Sequence, residues 1–136
     1  MAVHARPHWM PTFVDNHDVD RFLAGGNVAW LRQALLELMT LPGIPAIYFG
    51  TEQGFTEQRA VMFAAGWASG GRDRYDTGSA PYRDIAAMAA LRREHRVFSR
   101  GVPRMLHANA AQPGAIAWTM PCGRQTALVV YNSPDH

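Results

Sequence analysis

The chain has 136 residues and a mass of 15.1 kDa, with 48% apolar and 18% charged residues, which suits one packed domain and excludes intrinsic disorder. Its formal net charge is +2, and all 13 basic residues are arginines without a basic stripe or interleaved stacking aromatics, so nucleic acid is not an expected partner. The longest apolar runs are broken by Pro42, Gly43, Pro45 and Gly50, short of the roughly 20 residues of a membrane span, and the lone Cys122 excludes an internal disulfide and a four-thiolate zinc site.

A soluble chain with no membrane partner is expected, and its compartment is left open. Residues 1–11 carry His4, Arg6 and His8 but no apolar signal core, so they do not read as a secretory leader. Thr12, Phe13 and Val14 form a short apolar run, a buried strand that stops at Asp15, Asn16, His17 and Asp18. Gly25 and Gly26 read as a loop and Asn27 as an N-cap. Over residues 28–40, Leu31, Ala34, Leu35 and Leu38 recur at helical spacing, with Arg32, Gln33 and Glu37 on the other side.

Leu41, Pro42 and Gly43 end that helix, and residues 44–49 read as a second strand closed by Gly50, with Thr51 and Glu52 behind it. A Gly-rich polar segment occupies residues 53–77, with one helical turn expected near 60–65. Ser79 and Pro81 announce a helix running to about His95, with Ile85, Met88, Ala89 and Leu91 as its buried stripe. Arg92, Arg93 and Arg96 near its end read as a solvated face complementing the helix dipole. Three short β runs follow at 104–108, 116–120 and 126–131.

The order strand, helix, strand, helix predicts an α/β layer of parallel strands, and the later runs predict an antiparallel module, the two meeting near Gly101. Two parallel strands cannot close a barrel and three antiparallel strands make half a sandwich, so the chain reads as a segment of something larger. With open strand edges and uncovered apolar faces, the isolated polypeptide is expected to fold partially or self-associate.

Residues 15–21 place three carboxylates, an imidazole and a guanidinium at the carboxyl end of a parallel strand, where α/β proteins bind ligands. The plainer reading of any one of them is a turn cap or a satisfied buried histidine. A calcium loop fits poorly because Asp15, Asp18 and Asp20 lack its alternating ligands and sixth-position glycine, and the pair His17 and Asp18 lacks the further histidines of a metal phosphohydrolase. Asp18 and Glu52, at the ends of adjacent strands, suggest the roughly 5 Å carboxylate pair of a retaining glycosidase. In the long loop Trp67 and Tyr75 are the best placed aromatics for stacking on a ligand, whereas Trp30 and Trp118 lie in patterned elements and read as core.

The run Phe13-Val14-Asp15-Asn16-His17-Asp18, with Asp20-Arg21-Phe22 behind it, resembles the end of the seventh barrel strand in the α-amylase family, glycoside hydrolase family 13. Residues 43–53, Gly-Ile-Pro-Ala-Ile-Tyr-Phe-Gly-Thr-Glu-Gln, resemble its eighth strand. The resemblance implies a partial (β/α)₈ TIM barrel, its last two β/α units, over residues 1–100, followed by the start of an antiparallel β-sandwich domain over 101–136. It implies a segment of a retaining enzyme acting on starch, maltooligosaccharides or related α-glucans.

By the same resemblance Asp18 is the transition-state-stabilising carboxylate and His17 a sugar-binding residue, while Asn16, Arg21 and Glu52 support the site. Arg59 with Met62 resembles an Arg-x-x-Met pattern lining outer sugar subsites. The family's nucleophile and general acid/base follow its fourth and fifth strands, so the isolated chain is expected to be inactive and to need the rest of its parent. No cofactor is implied for this stretch; calcium, where the full-length enzyme uses it, is bound upstream. A cyclodextrin glucanotransferase-type transglycosylase and a non-catalytic amylase-like binding protein are the alternatives.

Overall fold

A computed structural model describes residues 7–109, 111 and 114–132, so His4 and Arg6 lie outside the described residues. Strand β1 (Pro11–Thr12) pairs in parallel with β2 (Ile44–Pro45), with Pro11 opposite Ile44 and Thr12 opposite Pro45. Both strands are shorter than the apolar runs 12–14 and 44–49 predict. A parallel strand is sustained by ladders on both flanks, and here Ile44 N donates to Met10 O and Ala46 N to Thr12 O on one flank alone. Phe13, Ile44 and Phe49 remain exposed along these segments.

Between the strands run α1 (Phe22–Gly25) and α2 (Val28–Thr40). The short α1 replaces the loop expected at Gly25, because Phe22 packs against the core of α2 and its carbonyl accepts from Gly26 N. Helix α2 starts where its cap predicts: Asn27 Oδ1 accepts from Trp30 N at 2.9 Å. After β2 comes the long irregular segment, in which turns take the place of a helical turn at 60–65. Helix α3 (Ala80–Glu94) opens on the Ser79 side chain, which accepts from Tyr82 N, and α4 (Val97–Arg100) follows without having been legible in the periodicity.

Strands β3 (Arg104–His107), β4 (Ala115–Cys122) and β5 (Gln125–Asn132) form an antiparallel sheet in that order, with a register shift between Met105 and His107. Two apolar cores result. Leu31, Leu35, Leu38, Met39 and Met88 join α2 to α3, while Leu91 of the expected stripe is exposed because α3 turns only part of that stripe onto α2. Val97, Phe98, Trp118, Met120 and Val129 join α4 to the inner face of the sheet, whose outer face leaves Leu128 and Val130 in water. Trp118 is core and stacks on Tyr131 at 5.0 Å, whereas Trp30 is half-buried and lines a groove of about 700 Å³ between α2 and the sheet. No helix among the described residues is long and apolar enough to cross a membrane.

Arg92 departs from the solvated-face reading. Its Nη1 donates to Met39 O (2.7 Å), Leu41 O (3.0 Å) and Phe98 O (2.8 Å), and its Nη2 to Gly43 O (2.6 Å). The carbonyls at the end of α2 have no intrahelical donors and carry the negative end of the helix dipole, which is why a cation settles there. Desolvation lowers the Arg92 pKa from its ordinary value. Arg93 and Arg96 do stay exposed. Replacing Arg92 by Ala strands these carbonyls and is expected to cost about 2 kcal/mol, read as a lower Tm of the assembled enzyme.

The two cores are also tied by Tyr131, whose hydroxyl shares a 3.0 Å hydrogen bond with Thr40 Oγ1. Burial pushes the Tyr131 phenol up to about 12, with the charge of Glu37 adding to the rise and the Thr40 bond opposing it. The fold therefore favours the neutral phenol. Its contribution is full below pH 10, the ordinary value, and is lost as pH climbs toward 12. An absorbance titration is expected to show a phenolate step near 12 that disappears in Tyr131→Phe.

Candidate active site

Because β1 and β2 are parallel, the loops leaving their carboxyl ends emerge on one side, and a buried network joins them. Arg21 is 1% exposed and Asp15 4%. From the first loop, the Arg21 guanidinium donates through Nη2 to Phe49 O at 2.6 Å and through Nε to Glu57 O at 3.4 Å, both on the second. Its Nη1 lies 3.7 Å from Asp15 Oδ1 and 3.5 Å from Thr51 Oγ1. Thr51 Oγ1 in turn donates to Asp15 Oδ1 at 3.0 Å, and Asp15 Oδ2 accepts from Phe22 N at 3.2 Å. The planar cation also lies 4.2 Å from the Tyr48 ring centroid.

Thr51 is delivered by a turn that only glycine permits. Gly50 has φ +87°, and a Cβ there would stand 2.4 Å from the Phe55 ring. The 3₁₀ turn Thr51–Gln53 begins at this point.

Above the buried base, His17 and Asp18 face solvent, with side chains 63% and 69% exposed. Asp18 N donates to Asn16 Oδ1 at 2.7 Å, a local turn that sets the direction in which Asp18 leaves the backbone. His17 Nε2 lies 3.3 Å from Asp18 Oδ2, and the His17 ring is 6.3 Å from that of Tyr48. Arg59 reaches over from the second loop: its Nε donates to His17 O at 3.1 Å and its Nη2 lies 3.6 Å from Asp18 Oδ1.

The structure thus brings Asn16, His17, Asp18 and Arg59 into one cluster and sets Arg21 beneath it. Glu52 stands apart. It is half-buried in the 3₁₀ turn, its carbonyl accepts from Ser79 Oγ at 2.6 Å, and it borders a small cavity beside Ile47, Tyr82 and Ile85. No hydrogen bond or ion pair among the described residues joins it to Asp18. Four contributors escaped the sequence reading as site residues: Thr51, Tyr48 and the carbonyls of Phe49 and Glu57. Only Thr51 carried a signal, a hydroxyl directly after the glycine that closes the strand. Among the described residues no group of three His, Cys, Asp or Glu side chains converges as a metal site requires.

A parallel β/α pair continuing into an antiparallel sheet is a fold this chain shares with solved α-amylase-type structures. The described fold superposes on an Anoxybacillus α-amylase with a TM-score of 0.78 and 24% identity, covering 97% of this chain and 28% of that one. In sequence the chain is 39% identical over 98 residues to a cyclomaltodextrin glucanotransferase of Paenibacillus macerans, covering 68% of this chain and 12% of that protein. It is 36% identical over 99 residues to an α-amylase of Niallia circulans, covering 72% of this chain and 18% of that protein. No family model matches the chain. The chain is therefore a homologue of α-amylase-family enzymes, glycoside hydrolase family 13, and spans between about an eighth and a fifth of the length of these curated relatives.

Arg21 makes its contacts with a planar fork that lysine cannot reproduce. Arg21→Lys is expected to destabilise the loop pair by about 2 kcal/mol, and Arg21→Met by about 3 to 5 kcal/mol because Asp15 is then buried without its cation. In the assembled enzyme, urea denaturation of the two variants reads this order.

Proposed function

We propose that this chain supplies the last two β/α units of the catalytic barrel, and the start of the following β domain, to a retaining enzyme that cleaves α-glucosidic bonds in starch, maltooligosaccharides or related glucans. One observation carries the reading: an exposed imidazole and carboxylate, 3.3 Å apart, mounted on a base whose charged groups are buried. Rigid burial below and solvent exposure above suit a group that must meet a ligand in one orientation.

Glycosyl transfer of this type passes through a transition state resembling an oxocarbenium ion, with positive charge on the sugar ring. Asp18 offers a negative charge already in place, and its oxygens accept sugar hydroxyl hydrogen bonds that strengthen as the ring flattens. His17 holds its Nε2 against Asp18 and presents Nδ1 to a hydroxyl of the same sugar. Arg59 braces the pair from the second loop. We assign the nucleophile and the acid/base to no residue of this chain, nor a metal; in the family both carboxylates follow earlier strands. Transfer to a sugar acceptor rather than water is the second reading, supported by the likeness to a glucanotransferase and by Arg59 lying against Asp18.

In the assembled enzyme, Asp18→Asn keeps the shape of the side chain and loses its charge, so kcat is expected to fall by roughly 100-fold or more. His17→Ala is expected to cost less. Steady-state kinetics on maltooligosaccharides reads both, and near-normal turnover by Asp18→Asn would defeat the assignment. The 136-residue chain alone is expected to show no hydrolysis; hydrolysis abolished by Glu52→Gln would instead make Asp18 and Glu52 the reacting pair.

A further inference from the structure

Resting on the reading of His17 and Asp18 as a sugar site, we propose that Phe55 is a positioning residue for that site: its ring joins the long loop after β2 to Arg21 and thereby sets where Arg59 meets Asp18. The ring is 2% exposed, so it acts through the chain that follows it and not by contact with a ligand.

Six residues carry the connection. Phe55 N donates to Gly50 O at 3.0 Å. Two residues on, Glu57 O accepts from Arg21 Nε at 3.4 Å. Arg59 comes next but one, with Nε donating to His17 O at 3.1 Å and Nη2 3.6 Å from Asp18 Oδ1, and Ala60 directly behind it is 1% exposed. The segment is therefore pinned at Phe55, Glu57 and Ala60, and Arg59 leaves it between the last two pins.

Two cations share the ring at the first pin. Arg21 Cζ lies 5.7 Å and Arg74 Cζ 5.2 Å from the Phe55 centroid, both within the roughly 6 Å over which an aromatic ring attracts a cation. Arg21 belongs to the loop after β1 and Arg74 to the far end of the loop after β2. No ion pair among the described residues takes the Arg74 charge. Its Nε donates to Ser69 O at 3.1 Å, and its backbone N to Met62 O at 2.8 Å, which holds the returning half of the loop against the outgoing half three residues beyond Arg59. A leucine at 55 would fill much of the same space yet offer neither cation a π face. Aromatic character at this position thus couples the packing of the long loop to the guanidinium beneath the site, and a displaced Arg59 changes both the orientation of Asp18 and the field it feels.

The test is a double-mutant cycle in the assembled enzyme, read as kcat on maltooligosaccharides. Phe55→Leu is expected to lower kcat about tenfold when Arg59 is present, and by less than about twofold in the Arg59→Ala background, where nothing is left to position. Arg74→Met keeps its stem and loses its charge, and is expected to show the same pattern at about threefold; half-buried on the loop, it carries the test if Phe55→Leu does not fold. Equal losses in the two backgrounds would make the ring a structural element alone and overturn the proposal, as would an unchanged kcat with Arg59 present. Asp18→Asn, measured alongside, separates the two readings. Near-normal turnover by that variant defeats the sugar site itself, whereas an inactive Asp18→Asn with additive Phe55 and Arg59 effects defeats only the positioning.

Discussion

The arrangement of the site depends on one buried guanidinium. Arg21 sits on the loop after β1, yet its donors reach Phe49 O and Glu57 O on the loop after β2. A cation at 1% exposure has no water to satisfy it, so the second loop must come to it or the charge is stranded at a cost of several kcal/mol. Asp15 neutralises the cation and Thr51 relays between them. Two chain segments some 30 residues apart are thus locked by a group that is neither exposed nor positioned to touch a ligand. His17, Asp18 and Arg59 inherit their relative placement from that lock.

A similar logic recurs where the two cores meet. Arg92 gathers the carbonyls at the end of α2 with that of Phe98, so the βα layer and the start of the antiparallel module share one cation. Tyr131 and Thr40 add a second tie, and Gln33 Nε2 reaches Asn132 O a third. These polar side chains add to the apolar core of α4 and the sheet in holding the layers in register. Apolar surface stays uncovered on the outer face of the sheet at Leu128 and Val130 and along Phe13 and Ile44.

At His17 and Asp18 the direction of each side chain follows from Asn16 beneath and Arg59 beside it. Under our reading this arrangement orients a reacting sugar.

Much was legible in the residues alone, for a local reason. Helical spacing, the Asn27 and Ser79 caps and the turn glycines act over a few positions, so α2, α3 and the β hairpin followed from them. The grouping Asp15-Asn16-His17-Asp18 was likewise contiguous, which made the candidate site visible along with its family resemblance. Tertiary structure decided what depends on distant partners. Strand length at β1 and β2 was set by which neighbours supply hydrogen bonds, not by the apolar runs themselves. Arg21 and Arg92 carry the same side chain as the exposed Arg93, and nothing in their spacing separates buried keystone from solvated charge. Only the carbonyls that folding collects around a guanidinium make that difference, because a backbone acceptor has no signature in sequence.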